Sequence, residues 1–160
     1  MNRRDFLKLT STGLLVAFST DAFDAGNEAA AQGGRQTYPT DFNAYLHIGA
    51  DNTVTCLVGK VELGQGIVAS LAQLLAEDLG VDFAAVTIVC GDTDLCPWDG
   101  GTFGSLSIRA FGTVLRAAAA EARGVLLAIA AETLQAPVES LSVRSGVVTS
   151  STGGAKKVTY

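Results

Sequence analysis

A single histidine, His47, stands in 160 residues. With no second imidazole or thiol beside it, it makes no metal site, and its place on the polar side of a strand pattern makes it a surface residue rather than the base of a triad. Cysteine is as scarce. Cys56, Cys90 and Cys96 contain no Cys-x-x-Cys pair, and three scattered thiols cannot hold a four-cysteine iron–sulfur cluster. Cys56 alternates with Val54 and Val58, and Cys90 with Val86 and Ile88, so both read as small buried apolar residues; Cys96 falls in a loop before Pro97. Nothing in their spacing demands a disulfide. Positive charge is in short supply: 11 Lys and Arg against 16 Asp and Glu give a net charge of −5, which argues against a nucleic-acid partner. Long apolar runs are missing too. The stretch from Leu9 to Phe18 is diluted by Thr10, Ser11, Thr12 and Gly13, and is too short and too polar to span a bilayer. There is no internal repeat and no heptad seam.

What is present begins with an export signal. Asn2-Arg3-Arg4-Asp5-Phe6-Leu7-Lys8 carries the Arg-Arg-x-Phe-Leu-Lys order of a twin-arginine motif. Ala29-Ala30-Ala31 offers a small-residue cleavage site. Residues 1–31 are therefore expected to be a twin-arginine signal peptide, 32–40 a polar linker ending at Pro39, and 41–160 the folded part, delivered to the periplasm. That route carries folded proteins, so a cofactor inserted in the cytoplasm would leave already bound. Apolar residues make up 48% of the chain, enough for one domain with a real core.

The periodicity predicts an α+β fold in the order β-hairpin, helix, strand, long helix, β-hairpin. Residues 44–50 and 53–60 alternate across an Asp51-Asn52 turn. From Gly66 to Leu79 the apolar spacing turns helical and stops at Gly80, a C-cap residue. Residues 86–90 read as a buried strand, followed by a loop from Gly91 to Thr102 long enough to be functional. Ser105 to about Leu134 reads as one Ala-rich helix with Arg109, Arg116 and Arg123 seven apart, a solvated face or a partner contact; its other faces read as buried, inside a larger assembly. Residues 140–144 and 147–150 form the last hairpin across Ser145-Gly146.

Two glycine loops stand at strand-to-helix junctions. The first is Glu62-Leu63-Gly64-Gln65-Gly66-Ile67-Val68-Ala69; the second is Gly100-Gly101-Thr102-Phe103-Gly104-Ser105-Leu106-Ser107. A helix that opens on Gly-x-Gly exposes unpaired N–H groups at its positive end, a setting for phosphate or pyrophosphate. Glu62 is a candidate general base, though a loop hydrogen-bonder is the simpler reading. Asp92 and Asp94 read as turn formers rather than as an acid–base pair. Taken alone, Gly64-x-Gly66-x-x-Ala69 fits a Rossmann-like dinucleotide fingerprint. Against that reading, the strand before it is the second arm of a hairpin, Cys90-Gly91 stands where a ribose-binding acid is expected, and the second loop goes unused.

Both loops together, with Gly91-Asp92-Thr93-Asp94 and Pro97 between them, resemble the molybdenum-hydroxylase family of xanthine dehydrogenases and aldehyde oxidoreductases, and most of all the large subunits of the isoquinoline 1-oxidoreductase type. The resemblance runs over residues 2–160. It implies that Gly64, Gln65 and Gly66 approach a molybdopterin and its phosphates from one side. Phe103, Gly104, Ser105, Leu106 and Ser107 would supply N–H groups and hydroxyls from the other, with Gly104 bringing the main chain near the metal. The cofactor would be molybdopterin with molybdenum, often as its cytosine dinucleotide. The implied reaction is hydroxylation of an aldehyde or N-heterocycle with oxygen from water. Electrons would leave through iron–sulfur clusters on a small partner subunit, with a cytochrome as a candidate acceptor. The resemblance also implies that a further Phe-Gly loop, a cofactor-binding arginine and the catalytic glutamate lie beyond Tyr160. This chain would then hold part of a cradle, no catalytic residue and no direct metal ligand. A non-catalytic exported module with vestigial loops is the other-class alternative, told apart by bound metal.

The export reading has a direct test. Exchanging Arg3 and Arg4 for lysine should abolish periplasmic accumulation on cell fractionation; unchanged accumulation would refute the twin-arginine route.

Overall fold

A computed structural model describes residues 7–10, 13–18, 44–152 and 156–160. The twin arginines, the alanine cleavage site and the linker at 32–40 lie outside the described residues. The main sheet has five strands in sequence order: β1 (Leu7–Thr10), β2 (Gly13–Phe18), β3 (Ala44–Gly49), β4 (Val54–Val58) and β5 (Val86–Cys90). The first four run antiparallel to their neighbours; β4 and β5 are parallel. Helix α1 (Ile67–Leu79) makes the crossover between them, and helix α2 (Thr113–Leu134) packs against α1. A three-stranded antiparallel sheet closes the chain: β6 (Leu141–Arg144), β7 (Val147–Ser150) and β8 (Lys157–Thr159).

Alternation decides which face of the main sheet is covered. Leu14, Val16, Leu46, Ile48, Val54, Cys56 and Val58 fall on one side and are all buried. They meet Leu71, Leu75 and Leu79 of α1 and Leu115, Ala118, Ala119, Ala122 and Leu126 of α2 in one apolar cluster. Leu15, Ala17, His47, Thr55 and Leu57, on the opposite side, are only half-buried. Ala130, Leu134 and Val148 form a second cluster under the small sheet, and Tyr160 packs against both. Its hydroxyl donates to the Leu79 carbonyl at 2.8 Å.

The predicted elements are present, with four differences. Two strands precede the expected first hairpin, and β8 extends the last one. The long helix does not begin at Ser105: residues 107–112 form a π-turn and the α-helix starts at Thr113. The wider π-turn breaks the sevenfold spacing, so Arg109 leaves the row of Arg116 and Arg123. That row is not simply a solvated face. Arg116 grips Asp78 of α1 through two bonds of 2.7 and 2.8 Å, and Arg123, half-buried, lies beside Tyr160. The fourth difference is that the helix is not buried on all its apolar sides within this chain: Ala118, Ala119 and Ala122 meet α1 and the sheet, while Ala117 and Ala120 are exposed. Gly80, at φ 71°, closes α1 as the sequence predicts, donating to Ala76 and Glu77.

Leu115→Ala, at a fully buried position, should lower stability by about 2–5 kcal/mol through lost burial and a cavity. Ile129→Ala, at a position 39% exposed, should fall well short of that. Urea midpoints of the two variants check the order.

Candidate functional site

Because β4 and β5 are parallel and in register from Val54↔Val86 to Val58↔Cys90, both glycine loops leave the same edge of the sheet, at the carboxyl ends of adjacent strands. Open α/β sheets place their ligands at such an edge. The Lys60 ammonium locks the loops together. It donates to Asp99 at 2.7 Å and to the Gly101 carbonyl at 3.0 Å, and lies 5.9 Å from the centre of the Phe111 ring. The two charged side chains are only 12% and 4% exposed. Asp99 also accepts from the Gly101 N–H, and the Val61 N–H donates to the Thr102 hydroxyl at 2.8 Å. Gly59 permits this approach: a Cβ there would stand 2.3 Å from that of Asp99. The pair Lys60–Asp99 is invisible in the sequence, since it joins residues 39 apart and no local pattern couples them.

The first loop is organised by Glu62. Its carboxylate accepts from the N–H groups of Gly64, Gly66 and Val68 at 2.8, 2.9 and 3.1 Å. The Gly66 and Val68 donors chiefly hold this carboxyl below its ordinary value. Glu62 is thus a loop hydrogen-bonder, and it fills much of the anion-binding position at the start of α1. The N–H groups that sequence reasoning leaves open for a phosphate are in large part committed to a tethered carboxylate. Gln65 is also turned inward: its amide donates to the Val61 carbonyl at 2.8 Å and accepts from the Leu63 N–H at 2.5 Å.

Gly64 and Gly66 adopt φ 94° and 80°, and a Cβ on either would meet nothing within 4 Å. Gly91, at φ 70°, is equally open. In the second loop Gly104 has φ 63° and Ser105 φ 56°, both left-handed. Phe103 is 67% exposed, Ser105 is exposed, Leu106 is half-buried, and Ser107 is buried where the π-turn begins. The structure therefore brings the two predicted residue groups to one edge, with main chain rather than bulky side chains turned outward at the glycines. Leu63, at 80% exposed, and Phe103 give that edge an apolar rim.

Asp92 forms the expected Asx turn, accepting from the N–H groups of Asp94 and Leu95. Its carboxylate is occupied there and is not presented to a ribose. Cys56 is fully buried, which pushes its thiol up to about 12; Cys90 and Cys96 are half-buried, and all three are free thiols. The strand before Gly64 is both the second arm of a hairpin and the first strand of a β–α–β unit. Against the Rossmann-like reading stand the occupied Asp92 and an antiparallel β3 where a doubly wound sheet continues in parallel.

Comparison with known proteins identifies the family. A family model described as a molybdopterin cofactor-binding domain matches residues 9–160. Nicotinate dehydrogenase of Pseudomonas putida, in one of its subunits, is 35% identical over 146 residues, 91% of this chain and 12% of that protein. The isoquinoline 1-oxidoreductase beta subunit (Brevundimonas diminuta) is 33% identical over 156 residues, 92% of this chain and 20% of that one. Among solved structures, a Cu,Mo-CO dehydrogenase superposes with a TM-score of 0.63 at 28% identity, over 72% of this chain and 15% of the other. The chain thus spans an eighth to a fifth of the length of these relatives.

Two variants test this geometry. Asp99→Ala strands a buried ammonium and should cost about 3–5 kcal/mol, read as a lowered urea midpoint. Glu62 supplies the pH dependence. Its folded-state pKa lies below the ordinary 4.5, so its contribution is complete above that value and is lost as pH falls through the depressed one. Hydrogen exchange at Gly64, Gly66 and Val68, corrected for the intrinsic pH dependence, should lose protection under acid. Glu62→Gln should show the weakened protection already at pH 7; protection there equal to wild type would contradict the role of the carboxylate.

Proposed function

The chain belongs to the molybdopterin cofactor-binding domain family, that of molybdenum-hydroxylase large subunits, and on that premise we propose that its two loops form one part of a molybdopterin cradle in a larger hydroxylating oxidoreductase. The observation that carries this is the joining of both loops at one sheet edge by Lys60 and Asp99, with open space above Gly64, Gly66 and Gly91. The residues fit such a group. Glycines at positive φ let the main chain come close, and Phe103 and Leu63 offer apolar surface to a flat ring system. Gly64, Gln65 and Gly66 would hold it from one side by close main-chain approach, and Phe103, Gly104, Ser105, Leu106 and Ser107 from the other, through N–H and hydroxyl donors. The cytosine dinucleotide is the form we favour, since two separated loops suit an extended ligand.

Bound molybdopterin supplies the redox centre for hydroxylating an aldehyde or N-heterocycle with oxygen from water. This chain's own contribution is binding and orientation. Lys60 and Asp99 fix the spacing of the loops, and Glu62 holds the first in shape. Names of relatives such as nicotinate dehydrogenase and isoquinoline 1-oxidoreductase support an N-heterocyclic substrate. An electron outlet through a small iron–sulfur subunit, a cytochrome as acceptor and the periplasm as location complete the proposal.

Gly104→Val in the complete enzyme should abolish cofactor occupancy, because a β-branched residue is strained at φ 63°. Gln65→Ala should act more mildly, weakening the hold or turnover roughly two- to tenfold, because it removes neutral bonds to Val61 and Leu63 that shape the first loop, each worth about 0.5–1.5 kcal/mol. Molybdenum per protein and turnover per bound molybdenum separate the two. Full occupancy and turnover in Gly104→Val would remove the second loop from the cradle.

A further inference from the structure

The stretch that reads as the apolar core of an export leader is built into the fold. All six residues of β2 pair with β3, from Gly13↔Gly49 to Phe18↔Ala44. Leu14 and Val16 are 2% and 4% exposed and join the main apolar cluster. Helix α2 lies against the same strand. On its other side β2 pairs with β1, which contains Leu7 and Lys8 of the twin-arginine motif.

Gly13 gives an independent sign. It has φ 140°, and a Cβ there would fall 2.0 Å from the Ile48 carbonyl oxygen, so this position needs glycine for contact with the β3 backbone. A peptide that is read by a translocase and then removed has no need of that contact. The similarity to relatives runs into the same segment. The family match begins at residue 9, and the relation to nicotinate dehydrogenase covers 91% of the chain, more than residues 32–160 contain.

We propose that residues 7–18 are a permanent part of the folded protein and that the chain is not processed after Ala31. The twin-arginine motif then adjoins strand β1 of the sheet, and its last residues are paired only once the domain has folded. Removing the segment would take Leu14 and Val16 out of the core and leave β3 as a bare edge, a template for pairing with another chain.

Intact-mass and N-terminal analysis of the assembled protein should find residues 7–18 still present; a chain starting at residue 32 would overturn the proposal. In a second experiment, a specific protease site is placed after Ala31 and the purified full-length protein is cut. The N-terminal piece should co-elute with the remainder in size-exclusion chromatography, and Gly13→Val should release it. Free elution of the wild-type piece from the remainder would equally overturn the proposal. None of these readouts depends on molybdenum, so they stand apart from the functional reading.

Discussion

The Lys60–Asp99 pair is the constraint on which the site depends. The strands place two loops at one edge, but nothing in strand pairing fixes how those loops sit against each other. A nearly buried ammonium must find its partners, and it has an acidic oxygen, a carbonyl and an aromatic face within reach. Leaving either charge alone would be costly in a region closed to water. The ion pair therefore sets the loop spacing with little freedom, and Gly59 and Gly101 are shaped by the closeness it requires.

Around that pair, different parts of the chain do different work. The hairpin and the crossover helix supply a rigid floor, with Leu46, Val54, Leu71 and Leu75 fully buried. Arg116 and Asp78 join the two helices, although an exposed pair of this kind adds little stability. Tyr160 ties the small sheet to the end of α1 by its hydroxyl and to the Asn52 turn by its N–H. The loops can remain rich in glycine because order is imposed from below, by the packed strands and helices beneath them.

Much of this was legible in the sequence because it is periodic or punctuated. Alternation at 44–58, the helical spacing ending at Gly80, and the Ser145-Gly146 turn all depend on neighbours a few residues apart. The two glycine loops were legible as motifs, and their shared edge followed from the family resemblance. The strands at Leu7–Thr10 and Gly13–Phe18 were hidden by a stronger local signal, since an export motif followed by a diluted apolar run reads as a leader whatever it pairs with. The π-turn at 107–112 carries no composition cue, and an Ala-rich continuation hides it. Lys60–Asp99 and the reach of Glu62 to three amides depend on the path of the main chain, which spacing alone does not encode.

The occupied N-terminus of α1 bears on competition. At neutral pH a free phosphate or nucleotide approaching Gly64 and Gly66 meets a carboxylate already bound to their amides and attached to the same loop. A tethered rival acts at a high effective concentration, commonly in the millimolar range for short flexible connections, and it repels a second anion. A ligand phosphate would have to displace Glu62 from these amides to use them, whereas a ligand held by shape and by contacts on both loops would not.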